Sequence, residues 1–262
     1  MGTDGTRIVY PVRGIVQGFL GFGAHPERRT IIYVSALSAT ALLTAASLIV
    51  SGYELEAPFT VLALAAVAVI VERGSVRITR TTELTISVLP TLIAAVLFGP
   101  LAAAVVGAAS MLGDPEVTDR RNRIGAPGLK WATYTSARFV TGAVTGLAAQ
   151  ATIALVSSEF GGLIVATLVG AFVSEMMEVA FGVMTAAVRG GSVWETARAV
   201  APPLVLVPPL YTPVVALLAF MYIEVSPWSL VLFLVPAIAA QRLHGLYQEQ
   251  RQLAADLTTA NE

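Results

Sequence analysis

Long apolar segments joined by short polar loops fill this chain from Thr30 to Ala240 and leave it few ways to fold. A helix needs about 20 mostly apolar residues to cross a bilayer. The clearest such segments are 30–51, 58–72, 132–157, 163–188, 203–223 and 229–240; the second and last are short but lengthen through their flanks. Only 33 of 262 residues are charged, 16 basic and 17 acidic. At 13%, that is half the roughly 25% of a typical soluble domain. An ordinary soluble enzyme, a nucleic-acid-binding domain and a disordered tail are excluded on these grounds. The expected fold class is all-α, a polytopic membrane helical bundle.

Between the second and third of these segments lies residues 84–112, interrupted by Gly99-Pro100. That dipeptide breaks helices. The reading is two short helices, about 85–98 and 100–112, joined by a tight turn, with one kinked helix as the alternative. The first gives eight transmembrane segments and the second seven. Basic residues concentrate in cytoplasmic loops. With eight segments and both termini in the cytoplasm, 15 of the 16 basic residues fall on the inside, among them Arg28, Arg29, Arg73, Arg120, Arg121, Arg189 and Arg242. The short outside loops then carry Glu54, Glu56, Glu159 and Glu224 and no basic residue. Seven segments would set the second half of the chain against this rule, so eight segments with N-in/C-in topology is expected.

The expected organisation is a cytoplasmic or interfacial leader over residues 1–29, a transmembrane bundle over 30–240 and a cytoplasmic signalling helix over 241–262. The leader has no signal-peptide pattern. Its apolar residues from Ile8 to Leu20 recur near helical spacing, which suits either a helix lying on the membrane or an unstructured arm. Residues 75–87 alternate apolar and polar side chains and read as a short extended stretch.

Three charges sit at membrane depth, where each costs several kcal/mol unless paired. Arg138 lies in the fifth segment; Glu175 and Glu178 share a face of the sixth, three residues apart. Tyr134, Arg138, Gly142, Gly146 and Gln150 recur every four residues, as do Gly170, Ser174, Glu178 and Gly182. Small residues at this spacing let membrane helices pack closely. An Arg138–Glu178 or Arg138–Glu175 ion pair is expected, either as a plain register lock or as one wall of a polar cavity. In the second case the candidate ligand-binding residues are Tyr134, Arg138, Gln150, Glu175, Glu178 and Tyr211. Tyr211 enters because Pro208 and Pro209 are expected to break the seventh segment beside it, forming a cavity lining or a kink absorbed by packing.

No cofactor and no metal are expected. The chain has no Cys, and His25 and His244 both lie in polar flanks. The only lysine, Lys130, stands at the start of an apolar segment. No HExxH, GxSxG or paired-aspartate motif occurs, which argues against an enzyme.

The eighth segment continues into a polar tail in which Leu243, Leu246, Gln250, Leu253, Leu257 and Ala260 follow a heptad pattern. Leu243, Leu246, Leu253 and Leu257 are the expected seam of a homodimeric coiled coil; a single amphipathic helix on the membrane surface is the alternative. Glu262 falls inside this helical pattern without a C-cap, so a cytoplasmic domain or a separate partner is expected beyond it.

The run LTISVLPTLIAAVLFGPLAAAVVGAASMLGD, residues 84–114, resembles the membrane-associated sensor (MASE-type) modules of bacterial HD-GYP and GGDEF signalling proteins. The matching features are the Ser/Thr-rich lead-in, Phe98-Gly99-Pro100 and the small-residue helix ending at Gly113-Asp114. Residues 234–248 resemble the exit from such modules. The same Phe-Gly-Pro and glycine-rich helix is also similar to substrate-binding subunits of vitamin transporters. The resemblance implies a multi-pass protein of the bacterial inner membrane that controls cyclic-di-GMP metabolism in a cytoplasmic output domain. It implies no catalytic residue here, and it assigns no role to Arg138, Glu175 or Glu178. A sensory input module is therefore expected, with the lipid bilayer, a second copy of the chain and a small-molecule ligand as partners and no nucleic acid. A small-solute transporter or substrate-binding membrane subunit is the alternative.

Overall fold

The computed structural model describes residues 28–73, 76–77, 83–84, 88–114, 127–156, 158–201 and 203–231, with Ala239 and Gln250. Residues 1–27 of the leader and the heptad residues Leu243, Leu246, Leu253 and Leu257 lie outside the described residues. The described elements are α1 (Arg28–Val50), α2 (Pro58–Arg73), β1 (Val76–Arg77), β2 (Glu83–Leu84), α3 (Val88–Ser110), α4 (Pro127–Leu155), α5 (Glu159–Val188), α6 (Val193–Val200) and α7 (Pro203–Glu224). A 3-10 turn, Met111–Gly113, extends α3. The strands form a two-residue antiparallel ladder, Val76 opposite Leu84 and Arg77 opposite Glu83, within the stretch expected to be extended.

By length and composition alone four helical stretches are apolar enough to cross a membrane, Arg28–Val50, Val88–Gly113, Glu159–Val188 and Val207–Glu224, the second of them folded back at Gly99. The outward faces of α1, α2 and α5 are apolar, with Leu42, Leu43, Phe59, Leu62, Phe172 and Met176 exposed. The interior is mixed: Thr133, Ser136, Thr141, Thr145, Thr167, Ser174 and Glu175 are buried. The apolar exterior suits a surface solvated by lipid.

The centre of the bundle is α3, whose Leu92, Ile93, Ala94, Ala95, Ala102, Ala103, Ala104 and Val106 are buried. It is not one straight rod. Gly99 has φ 81° and ψ −167°, a conformation essentially closed to residues with a side chain. A Cβ placed on Gly107 would lie 3.5 Å from Thr91 Cγ2. Sixteen residues of straight helix would set these positions about 24 Å apart. The chain therefore doubles back at Gly99-Pro100, and arms 88–98 and 100–110 lie side by side. The expected hairpin is present, but each arm is only about 16 Å long, near half the thickness of a hydrocarbon core. Neither arm alone is a full crossing.

Helix α4 runs antiparallel along the second arm. A Cβ on Gly142 would overlap the carbonyl of Ala103, and one on Gly146 would overlap Pro100. The four-residue stripe of α4 is thus a packing face, but it is the hairpin that fills it. The α5 stripe is split: Gly170 meets Thr145, Ala149 and Leu92, whereas nothing described comes within 4 Å of a Cβ on Gly182.

The proline-rich segment corrects an expectation. Helix α7 runs without a break through Pro208, Pro209 and Pro213. Pro203 occupies the helix start, where its missing N–H costs nothing, and Thr212 Oγ1 donates to the Pro208 carbonyl at 2.7 Å. Tyr211 is accordingly a buried residue of a continuous helix and not the lip of a break. The short helix α6 was not anticipated from the sequence. Its Ser192 accepts from the Glu195 N–H at 3.3 Å, the Ser-x-x-Glu start signal. Its Trp194 is 68% exposed beside Arg198, as suits a helix lying at the lipid headgroups.

Candidate functional site: a buried charge cluster

Arg138 lies eleven residues into α4, where the packing of Gly107 against its carbonyl holds the hairpin base close. At that base Gly113 packs against Val69 and Glu72 of α2. The last turn of α2 is thereby brought beside α4. Arg138 Nη2 donates to Glu72 Oε1 at 3.4 Å, with side-chain exposures of 18% and 12%. This corrects the expected partner. Among the described residues neither Glu175 nor Glu178 forms an ion pair with Arg138, although both remain within its electrostatic reach. The glutamate closing the second apolar segment reaches the arginine because the hairpin base draws α2 inward, a long-range effect that no stripe on α4 or α5 encodes.

The inward face of α5 carries Gly170, Ala171, Ser174 and Glu175 as buried residues. Glu175 is 8% exposed. It has no hydrogen bond or ion pair among the described residues. Glu178 stands one turn on and is half-buried. Tyr211 of α7 lies within electrostatic reach of both carboxylates. At the other edge Asp114, at the end of the hairpin, pairs with Lys130 at 3.4 Å. The Lys130 ammonium sits 5.8 Å from the ring centroid of Tyr134. Asp114 and Tyr134 also act on Arg138 through space.

Five of the six candidate residues, Tyr134, Arg138, Glu175, Glu178 and Tyr211, thus belong to one region that joins α4, α5 and α7. Gln150 does not. It lies three turns further along α4, with its amide against Gly99 at the hairpin tip. Glu72, Asp114 and Lys130 were not among the candidate site residues read from the sequence. Each closes or opens an apolar segment next to basic flanks, where a charge reads as ordinary solvation. Among the described residues the region holds four carboxylates, Glu72, Asp114, Glu175 and Glu178, and two cations, Lys130 and Arg138. Glu72 Oε2 is buried with no hydrogen-bond partner among the described residues. Among those residues no group of three or more His, Cys, Asp or Glu side chains is placed to hold a metal ion. Comparison with family models, with curated proteins and with solved structures finds no match.

Proposed function

We propose that the chain is a membrane-embedded sensory input module. A ligand, a lipid or a membrane state biases the bundle between two packings, and the last helix carries that bias to a cytoplasmic output domain of cyclic-di-nucleotide metabolism. Any catalysis belongs to that output domain. The finer topology has eight segments, the two hairpin arms counted as the third and fourth, with both termini in the cytoplasm of a bacterial inner membrane. A hairpin that returns to the side it left keeps the count even, which agrees with the placement of basic residues.

The observation that carries the proposal is the buried charge cluster joining α2, α4, α5 and α7, in which carboxylates outnumber cations among the described residues, at the end of the bundle that bears the basic loops. Buried charges with incomplete pairing give a bundle alternative states separated by a few kcal/mol. A ligand that binds one state better shifts the balance. In the proposed topology the eighth segment leaves the membrane at this same end. The short outside loops leave the stimulus to be sensed within or at the membrane.

The test is a fusion of residues 1–262 to a diguanylate cyclase domain, with cyclic-di-GMP measured in cells. Arg138→Gln and Glu175→Gln are expected to shift output in membrane-inserted protein. Output indifferent to both, at equal insertion, would overturn the proposal. The hairpin favours a second reading, a small-solute transporter or substrate-binding subunit, because irregular backbone at membrane depth occurs where protein or a cavity surrounds it. Solute uptake into vesicles holding the purified chain, lost on Gln150→Ala, would establish that reading.

A further inference from the structure

The cluster divides into two halves. Arg138 is bonded to Glu72, and Lys130 to Asp114. On the α5 side Glu175 and Glu178, within electrostatic reach of the buried Tyr211, have no bonded cation among the described residues. Glu175 is more than nine-tenths buried and unpartnered. An isolated carboxylate in such a place is costly unless something positive joins it. The stripe residue one turn beyond Glu178 is Gly182, and nothing described lies within 4 Å of its Cβ position. The other stripe glycines, Gly142, Gly146 and Gly170, are all covered by neighbouring atoms within 4 Å. The α5 face is therefore closed by packing as far as Glu175, leaves open space at Gly182, and is met again at Thr185, whose hydroxyl lies 3.2 Å from that of Tyr33 on α1.

We propose that Glu175, Glu178 and Tyr211 form a binding site for a small organic cation bearing a primary ammonium group, reached past Gly182. The chemistry matches group by group. Two carboxylates one helical turn apart accept charge-assisted hydrogen bonds from separate N–H donors of one ammonium. The Tyr211 ring and hydroxyl offer a cation-attracting face and a further acceptor. Arg138 stands beyond, held by Glu72, and sets a limit to how deeply a second cation can enter. A divalent metal fits less well, since it asks for more oxygen ligands than this pair supplies.

The site names a ligand class for the cluster assigned above to sensing, but its test reads occupancy alone, so the two proposals fail separately. The full chain in nanodiscs is titrated with ethylammonium chloride at constant pH and ionic strength, with sodium chloride as the control. Thermal unfolding is followed by the fluorescence of its three tryptophans. Ethylammonium is expected to raise the melting temperature saturably. Glu175→Gln is expected to weaken the effect about tenfold or more, the loss of one charge-assisted partner. Without amine that variant melts no lower than the parent, because it removes an uncompensated charge. Tyr211→Phe weakens the response by a smaller factor, and Glu159→Gln, at the far end of α5, leaves it unchanged. No saturable rise, or an equal rise in Glu175→Gln, would overturn the site. So would a stability that follows pH but not amine, which would make a proton the sole occupant.

Discussion

Removing the Arg138 side chain tests the corrected pairing. At 3.4 Å and an effective dielectric near 20, two unit charges attract by about 5 kcal/mol. Desolvation of both groups offsets much of that, so the pair's net contribution is small. Breaking it is another matter, because the Glu72 carboxylate is left buried with Oε2 already lacking a partner. Removing one member of a buried pair costs about 3–5 kcal/mol. Both side chains keep some exposure, so Arg138→Ala is expected to cost about 2–3 kcal/mol. The assay is unfolding in mixed micelles, arranged as two double-mutant cycles. Arg138→Ala with Glu72→Ala is expected to show a coupling of about 1–2 kcal/mol, and Arg138→Ala with Glu178→Ala about half of that or less. A single-mutant loss below about 0.5 kcal/mol, or a larger coupling to Glu178, would refute the reasoning.

The packing yields further predictions. Gly142→Leu forces a side chain into the Ala103 backbone and is expected to cost about 3 kcal/mol or more, while Gly182→Leu enters open space and stays within about 0.5 kcal/mol; denaturant titration of the pair in micelles checks the contrast. Gly99→Ala meets both an unfavourable φ and Gln150, so it is expected to lose about 1–3 kcal/mol that Gln150→Ala restores only in part, because the backbone angle remains. The chain has no cysteine, so single cysteines report topology directly. Those at Glu54 and Glu159 should label from outside the cell, one at Arg189 only after permeabilisation, and one at Leu97 near the hairpin tip from neither side.

How far the sequence could be read depends on how local each signal is. The long apolar segments predict α1, α2, α4, α5 and α7 to within about five residues at each end, because a span is set by its own composition. Gly99-Pro100 predicts the doubling back of α3 for the same reason, since the requirement for positive φ is local. What the sequence does not announce is the depth to which a hairpin penetrates. That depends on Gly142 and Gly146 of another helix seating on Ala103 and Pro100. The proline run misleads because packing of α7 against its neighbours holds the helix despite the lost intrahelical bonds, a compensation invisible along the chain. Arg138, Glu175, Glu178, Tyr134 and Tyr211 come together as their rarity in apolar segments suggests. The partner of Arg138 was missed because Glu72 is placed by the contact of Gly113 with α2, and Gln150 was misplaced because a shared stripe spans three turns of depth.

The central claim is that the charge cluster controls the helix leaving the membrane. Single cysteines at Leu253 or Leu257, on the heptad seam, are oxidised in native membranes with and without Glu175→Gln in the same chain. Disulfide-linked dimers are expected, with a yield or rate that changes severalfold with the glutamate substitution. No crosslink at either position, or identical crosslinking with Glu175 intact and replaced, would contradict it.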